Sequence, residues 1–336
     1  MLDNATLIWI AGAALGCFVI EKLTLAYSLN QGLLSQPNAR SSHSRPTPSI
    51  GGIAIVVPVL IYCLCNVGSD ARLLVIFFAV LLLAMSGLWD DLRPLSSRLR
   101  FALQILVVVF SLIYLHIDFP FESAVYTLSQ PWLWQFVLAV GILWCINLFN
   151  FMDGIDGLAA AQCLVYCLAC IIFSENMPPE MARLIWVLGS SALVFLWFNW
   201  PPASIFMGDV GSAALGYLIA IIALLLDHQE VLPMVASMIL FSVFWIDASF
   251  TLAARMFSGQ AFASAHRSHL YQKLAVRYGH RRVSTIFCFY ALLVLFPLAG
   301  GAISYPSWGI IALGLACVPV IVLCIWYRAG LPEQKS

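Results

Sequence analysis

Charge is what this chain has least of. Only 10% of its 336 residues are charged, against about 25% in an ordinary soluble domain. That poverty excludes a water-soluble globule, and 62% apolar content with a mean hydropathy of +0.95 makes the chain an all-α, polytopic membrane protein. Sixteen basic residues balance sixteen acidic ones, so overall charge names no partner, and no nucleic-acid partner is expected. The first apolar run lacks a basic segment before it and a small-residue cleavage site after it, so it is expected to stay as a helix. Repeats, low-complexity tracts and a soluble domain are also missing, so residues 1–336 read as one integral membrane domain. The ten cysteines all lie in apolar runs, and no Cys-x-x-Cys pair stands with paired histidines at zinc spacing. They are read as small apolar filling.

What is abundant is hydrocarbon. A bilayer core needs about 20 apolar residues per helix. Spans are expected near 5–27, 50–66, 71–89, 100–117, 132–149, 158–174, 183–199, 211–227, 232–254, 283–303 and 307–327, eleven in all, with the second, sixth and seventh short. The connections after spans one, three, nine and eleven carry nearly every arginine and lysine, while the opposite ones carry only Arg72 and Arg183. Positive residues stay in the cytoplasm, which puts the N-terminus outside and the C-terminus inside. Asp90, Asp91, Asp153, Asp156 and Asp209 then all fall at cytoplasmic helix ends, a convergence that hydropathy alone does not require.

The chain is organised around Asn147 to Ala159, where Asp153 and Asp156 stand three apart beside Asn147, Asn150, Gly154 and Gly157. On a helix that spacing shares one face, and carboxylates beside hydrocarbon mark a functional site by default. The bland alternative is a solvated turn rich in Asp and Gly. Adjacent Asp90 and Asp91 repel by about 3 kcal/mol at an effective dielectric near 20. Neighbouring arginines or a divalent cation would offset this. Carboxylates without thiolates or a paired-histidine set favour Mg²⁺, with Mn²⁺ admitted, over Zn²⁺. Residues 37–52 carry Arg40, Arg45, hydroxyls and the Gly51–Gly52 pair before a helix, either a phosphate cradle or an ordinary basic loop. Asp209 opens another helix and is either an N-cap or a ligand. Phe206 either stacks on a base or packs. His266 and His269, beside Arg267 and Lys273, suit phosphate better than metal, or meet lipid headgroups.

Taken together, Thr47-Pro48 with Gly51-Gly52, Asp90-Asp91, the Asn147-Leu148 to Asp156-Gly157 run, Phe206 to Ser212 and the late histidine loop resemble the polyprenyl-phosphate N-acetylhexosamine-1-phosphate transferases, glycosyltransferase family 4. The resemblance covers nearly the whole chain. It implies transfer of a sugar-1-phosphate from a UDP-N-acetylhexosamine to undecaprenyl phosphate, with release of UMP, at the cytoplasmic face of a bacterial inner membrane. It implies a metal held by Asp209 with Asp91 or Asp90, and a catalytic set of Asp90, Asp91, Asp153, Asp156 and His269. The substrate-binding set would be Asn38, Arg40, Ser42, Thr47, Arg98, Asn147, Asn150, Asn199, Phe206, His266 and Arg267. Within it, Asn147, Asp156 and Phe206 look like the uridine pocket, and His269 with Arg267 would grip the diphosphate. Membrane lipids are implied partners, and a homodimer is left open. The chain departs from the enterobacterial common antigen branch at Tyr271, where those members carry histidine. It departs from the peptidoglycan branch at Ser42, where lysine stands, and in lacking a histidine triplet. The His266–Gln272 loop looks closest to the branch that begins O-antigen or related surface glycans with 6-deoxy-N-acetylhexosamines. A transporter or flippase for lipid-linked sugars is the competing class, with intramembrane Asp247 on a proton path. An aspartate-rich prenyltransferase would need paired Asp-Asp-x-x-Asp clusters, which Asp90-Asp91-Leu92-Arg93-Pro94 does not supply.

Overall fold

The computed structural model describes residues 3–36, 45–115, 117, 131–174, 176–260 and 266–331. Among them the regular structure is helical apart from two short paired strands, β1 (Leu34–Ser35) and β2 (Thr47–Pro48), antiparallel with Leu34 opposite Pro48. Among the described residues eight helical stretches are long and apolar enough to cross a membrane, and the chain is a multi-pass membrane protein. They are α1 (Asn4–Gln31), α3 (Arg72–Leu92), α4 (Ser97–Leu115), α5 (Pro131–Met152), α7 (Pro179–Asn199), α8 (Gly208–His228), the composite of α12 (His280–Tyr290) with α13 (Phe296–Ser304), and the stretch ending in α14 (Gly309–Trp326). A ninth is bent: α9 (Met234–Leu240) and α10 (Ser242–Phe257) meet at 73°. The α12–α13 composite is joined through a π turn at Ala291–Leu295, ahead of Pro297, which lacks an N–H and whose ring crowds the preceding turn.

The second and sixth expected spans are the helices α2 (Ile53–Cys65) and α6 (Leu158–Phe173). Their 13 and 16 residues reach roughly 20 and 24 Å at 1.5 Å per residue, short of a ~30 Å hydrocarbon core. The ninth expected span, near 232–254, is the bent pair α9 and α10. One further helix, α11 (Leu270–Tyr278), is short and amphipathic and follows the histidine loop.

Local chemistry sets the helix ends. Asp3 caps α1, accepting from the Thr6 backbone N–H at 2.7 Å. Arg93 is extended ahead of Pro94, and α3 stops there. Pro179 opens α7 in the first turn, where a missing N–H costs nothing. α8 is the buried centre, packed against α3 and α5. Its first turns read Gly211, Ser212, Ala213, Ala214 and Gly216, and these small side chains let the neighbouring backbones close in. At the end of the bundle where α1, α3 and α7 begin, Arg72 pairs with Asp70 at 2.8 Å and Arg183 with Asp3 at 3.0 Å. The five aspartates singled out above gather at the opposite end.

Candidate active site

That opposite end is built where α3 and α5 finish and where α4 and α8 start. Asp91, in the last turn of α3, accepts from the backbone N–H groups of Asp209 and Val210, both at 3.0 Å. It therefore caps α8 from another helix and sits against the positive end of the α8 dipole. Gly208 makes this contact feasible: its φ is +72°, and a Cβ there would stand 2.6 Å from Asp91 Oδ2. Asp209 is thereby released from capping. Its Oδ1 accepts from Asn150 Nδ2 at 2.6 Å and its Oδ2 from Arg100 Nη1 at 2.8 Å. The same Arg100 nitrogen donates to Asp90 Oδ2 at 2.7 Å, while Asp90 Oδ1 accepts from the Leu95 N–H at 2.6 Å. Asn150 also reaches Ser212 Oγ at 3.1 Å.

Asp153 lies just past α5. Burial, reinforced by Asp209, Asp91 and Asp156, pushes its carboxyl well above the ordinary carboxylate range. Asp90 and Asp209 thus share the Arg100 guanidinium, with Asp91 and Asp153 close by, a concentration of carboxyl groups that suits a hard divalent cation. Among the described residues no three acidic, histidine or cysteine side chains converge as a ready-made cage. Mg²⁺ needs none, because it keeps several waters and takes one or two carboxylates plus substrate phosphates. The donor set therefore fits Mg²⁺, which Asp209 would hold with Asp91 or Asp153 beside it.

Beside the cluster lies a cavity of about 620 Å³, lined by Arg45, Thr47, Asp156, Phe206, His280, Arg281 and Arg282 among others. Asp156 Oδ2 accepts from the Ala203 N–H at 3.0 Å, and His280 Nδ1 lies 3.2 Å from its Oδ1. Three basic side chains beyond Arg45, none of them in the expected binding set, come from the start of α12. Asn147 is elsewhere: its Nδ2 donates to Gln104 Oε1 and to Leu143 O, both at 2.8 Å, tying α5 to α4. Asn199 is buried and acts as a latch, accepting from Gly157 N–H and donating to Ile205 O, each at 2.9 Å.

The diglycine is not a phosphate cradle here. Gly51 N–H donates to Phe206 O at 2.9 Å and Gly52 N–H to Met207 O at 2.8 Å, with Phe206 N–H returning to Pro48 O at 2.8 Å. These bonds sew two loops together and leave their N–H groups engaged. Asn38, Arg40 and Ser42 lie outside the described residues. Arg98 is exposed in the first turn of α4, and Arg100 does the bridging instead. Two residues apart, the arginines point about 200° away from each other on a helix, so only the phase of α4 decides between them. The histidine loop folds over Phe151: His266 and His269 stack with ring centres 5.0 Å apart, and Tyr271 Oη donates to Phe151 O at 2.7 Å. Arg267 lines a second cavity, of about 410 Å³, with Arg255 and Lys273.

Residues 73–227 match the family described as glycosyl transferase family 4. The chain is similar to a probable undecaprenyl-phosphate N-acetylglucosaminyl 1-phosphate transferase of Bacillus subtilis (strain 168), 26% identical over 288 residues, 84% of this chain and 80% of that one. It is also similar to the phospho-N-acetylmuramoyl-pentapeptide-transferases of Bartonella quintana (strain Toulouse), 27% identical over 71% of this chain and 74% of the relative, and of Rhodopseudomonas palustris (strain BisA53), 27% identical over 85% and 87%.

Proposed function

We propose, from the match of residues 73–227 to glycosyl transferase family 4, that the chain belongs to that family and moves an N-acetylhexosamine-1-phosphate from a UDP-sugar to undecaprenyl phosphate, releasing UMP. The observation that carries this reading is the gathering of Asp90, Asp91, Asp153 and Asp209, two of them bridged by Arg100, next to a basic cavity of about 620 Å³. A nucleotide diphosphate fits that arrangement. Arg45, Arg281 and Arg282 meet its negative charge, and Phe206 offers a ring to the base.

An oxygen of the lipid phosphate attacks the sugar-side phosphorus. A new P–O bond forms, the bond to the bridging oxygen breaks, and its electron pair leaves with UMP. A phosphate monoester is largely ionised at pH 7, its second pKa being about 6, so little proton removal is required. Asp90 and Asp91 agree with this: all four of their oxygens already accept hydrogen bonds, so neither stands ready as a dedicated base. Their work is to hold Arg100 and the α8 N-terminus. Asp209, with Asp91 or Asp153, would hold Mg²⁺ (or Mn²⁺), which would supply the charge neutralisation on which phosphoryl transfer depends. His269 and Arg267 would close on the diphosphate from the histidine loop.

The sugar we propose is a 6-deoxy-N-acetylhexosamine, and the product begins O-antigen or a related surface glycan. Eleven crossings, with α2 and α6 completed by flanking residues, put the N-terminus in the periplasm and the aspartate cluster at the cytoplasmic face of the inner membrane. The transporter reading loses its main support, because the Asp247 carboxylate accepts from two backbone N–H groups and Thr251.

The test is UMP release by purified protein with undecaprenyl phosphate, Mg²⁺ and a panel of UDP-N-acetylhexosamines including fucosamine and quinovosamine derivatives. Metal-dependent release is expected with one 6-deoxy donor. Release with N-acetylglucosamine alone overturns the sugar choice, and none with any donor overturns the reaction. Orientation is tested in a cysteine-free background: an impermeant thiol reagent on intact cells should label Ser69→Cys and spare Ser97→Cys. The reverse pattern would invert the topology.

A further inference from the structure

Asp247 is fully buried in α10, a membrane-embedded helix, and the chemistry above does not use it. A carboxylate in such a place is costly unless its oxygens are satisfied. Both are. Oδ1 accepts from Leu270 N–H at 2.8 Å and from Thr251 Oγ1 at 3.1 Å, and Oδ2 accepts from Tyr271 N–H at 2.9 Å. Leu270 and Tyr271 are the first two residues of α11, whose N-terminal N–H groups have no partner inside the helix. The residue at the cap itself is His269, and its Nδ1 stands 3.4 Å from Asp247 Oδ1.

We infer that Asp247 is a positioning residue for the histidine loop: it anchors α11 by both carboxylate oxygens and so sets where His269 meets the donor diphosphate. The anchor connects onward to the aspartates. Tyr271, held by Asp247 through its N–H, donates its hydroxyl to Phe151 O, two residues before Asp153. Gly154 is packed under the same phenol: a Cβ there would lie 3.0 Å from Tyr271 Cζ. A single buried carboxylate therefore ties together α10, the histidine loop and the Asp153 loop. An ordinary capping serine would not serve, because only a carboxylate presents two acceptor oxygens to two successive N–H groups. His266 stacks on His269 and follows it.

This inference rests on the proposed transfer for its kinetic consequence but not for its structural one, so the test has two arms. In the first, hydrogen exchange of the substrate-free protein is followed by mass spectrometry on a peptide spanning 266–278. Asp247→Asn, which turns an NH₂ toward one of the N–H groups, should speed exchange there by about tenfold or more, in line with loss of a charge-assisted bond, with α8 unchanged. Thr251→Val, a gentler change that removes one donor to Asp247, should give a smaller acceleration in the same place and keeps the test alive if Asp247→Asn fails to insert. In the second arm, Asp247→Asn should raise the KM for the UDP-sugar about tenfold while kcat stays within about threefold. Combined with His269→Ala it should add little, as expected of residues acting as a unit. Unchanged exchange at 266–278 overturns the anchoring. Faster exchange with a lowered kcat at unchanged KM, or effects that add fully to His269→Ala, leaves only a structural role and overturns the link to the donor. Absence of turnover in the wild-type protein overturns the transfer reading, while the exchange arm still decides the anchoring.

Discussion

Replacing Arg100 with methionine removes the cation that bridges Asp90 and Asp209. Its Nη1 bonds both carboxylates, at 2.7 and 2.8 Å. Unit charges about 4 Å apart attract by ~4 kcal/mol at an effective dielectric near 20. Because the Arg100 side chain is 38% exposed, solvent screens much of that, and measured charged hydrogen bonds contribute about 1.5–3 kcal/mol each. One nitrogen makes both bonds, so the two do not add fully. A total of ~3 kcal/mol is reasonable, and at about 1.4 kcal/mol per factor of ten it predicts a roughly 100-fold fall in kcat/KM for UMP release. Asp209 loses a competitor for its oxygens at the same time, so half-saturation by Mg²⁺ should move to lower concentration. Arg100→Lys keeps the charge on a single point and should recover part of the loss. Steady-state turnover across an Mg²⁺ series, on protein matched for yield and folding, reads both effects. An Arg100→Met enzyme within threefold of wild type, with an unmoved Mg²⁺ requirement, would refute the reasoning.

Three further outcomes are expected. Asp209→Asn and Asp91→Asn should each abolish UMP release, but only Asp91→Asn should also lower the thermal midpoint, because it alone caps α8; equal midpoints would remove the capping argument. Gly52→Ala would set a Cβ 2.5 Å from Gly211 N and 2.7 Å from Met207 O, both backbone atoms that cannot swing aside, whereas Gly12 has open space around it; loss of folded protein for the first and none for the second is expected in detergent extracts. His266 is held down to about 4 from 6.5 by burial and by neighbouring His269 and Arg255. Between those values the unfolded chain takes up a proton that the folded one refuses, so stability should fall as pH drops through that window. His266→Gln should flatten the slope of the melting midpoint between pH 7 and 5, and an unchanged slope would count against it.

Much of this protein is legible in its residues because a bilayer is an unforgiving solvent. Apolar runs must be helices when lipid cannot satisfy backbone groups, and the arginine asymmetry orders the ends. Asp90, Asp91, Asp153 and Asp209 were therefore traceable to one end of the bundle. Their division of labour was not. Asp209 opens its helix and has the residue type of a cap, yet Asp91, 118 residues away in sequence, takes that place. Gly51 and Gly52 resemble an anion cradle, yet their N–H groups are spent on the loop before α8. Arg98 and Arg100 are equivalent on paper, and Asn147 looks as much a ligand as Asn150.

The sequence by itself determined the membrane class, most of the long apolar helices and which acidic residues lie at helix ends, since these follow from hydropathy and charge, which are properties of single residues. Only the tertiary structure decided which carboxylates are occupied by N–H groups, which arginine bridges them, that Asp247 anchors the histidine loop, and that span nine bends by 73°. Those are facts about pairs of groups distant in the chain, and hydrogen-bond geometry over 3 Å depends on helix phase and packing that no residue carries alone.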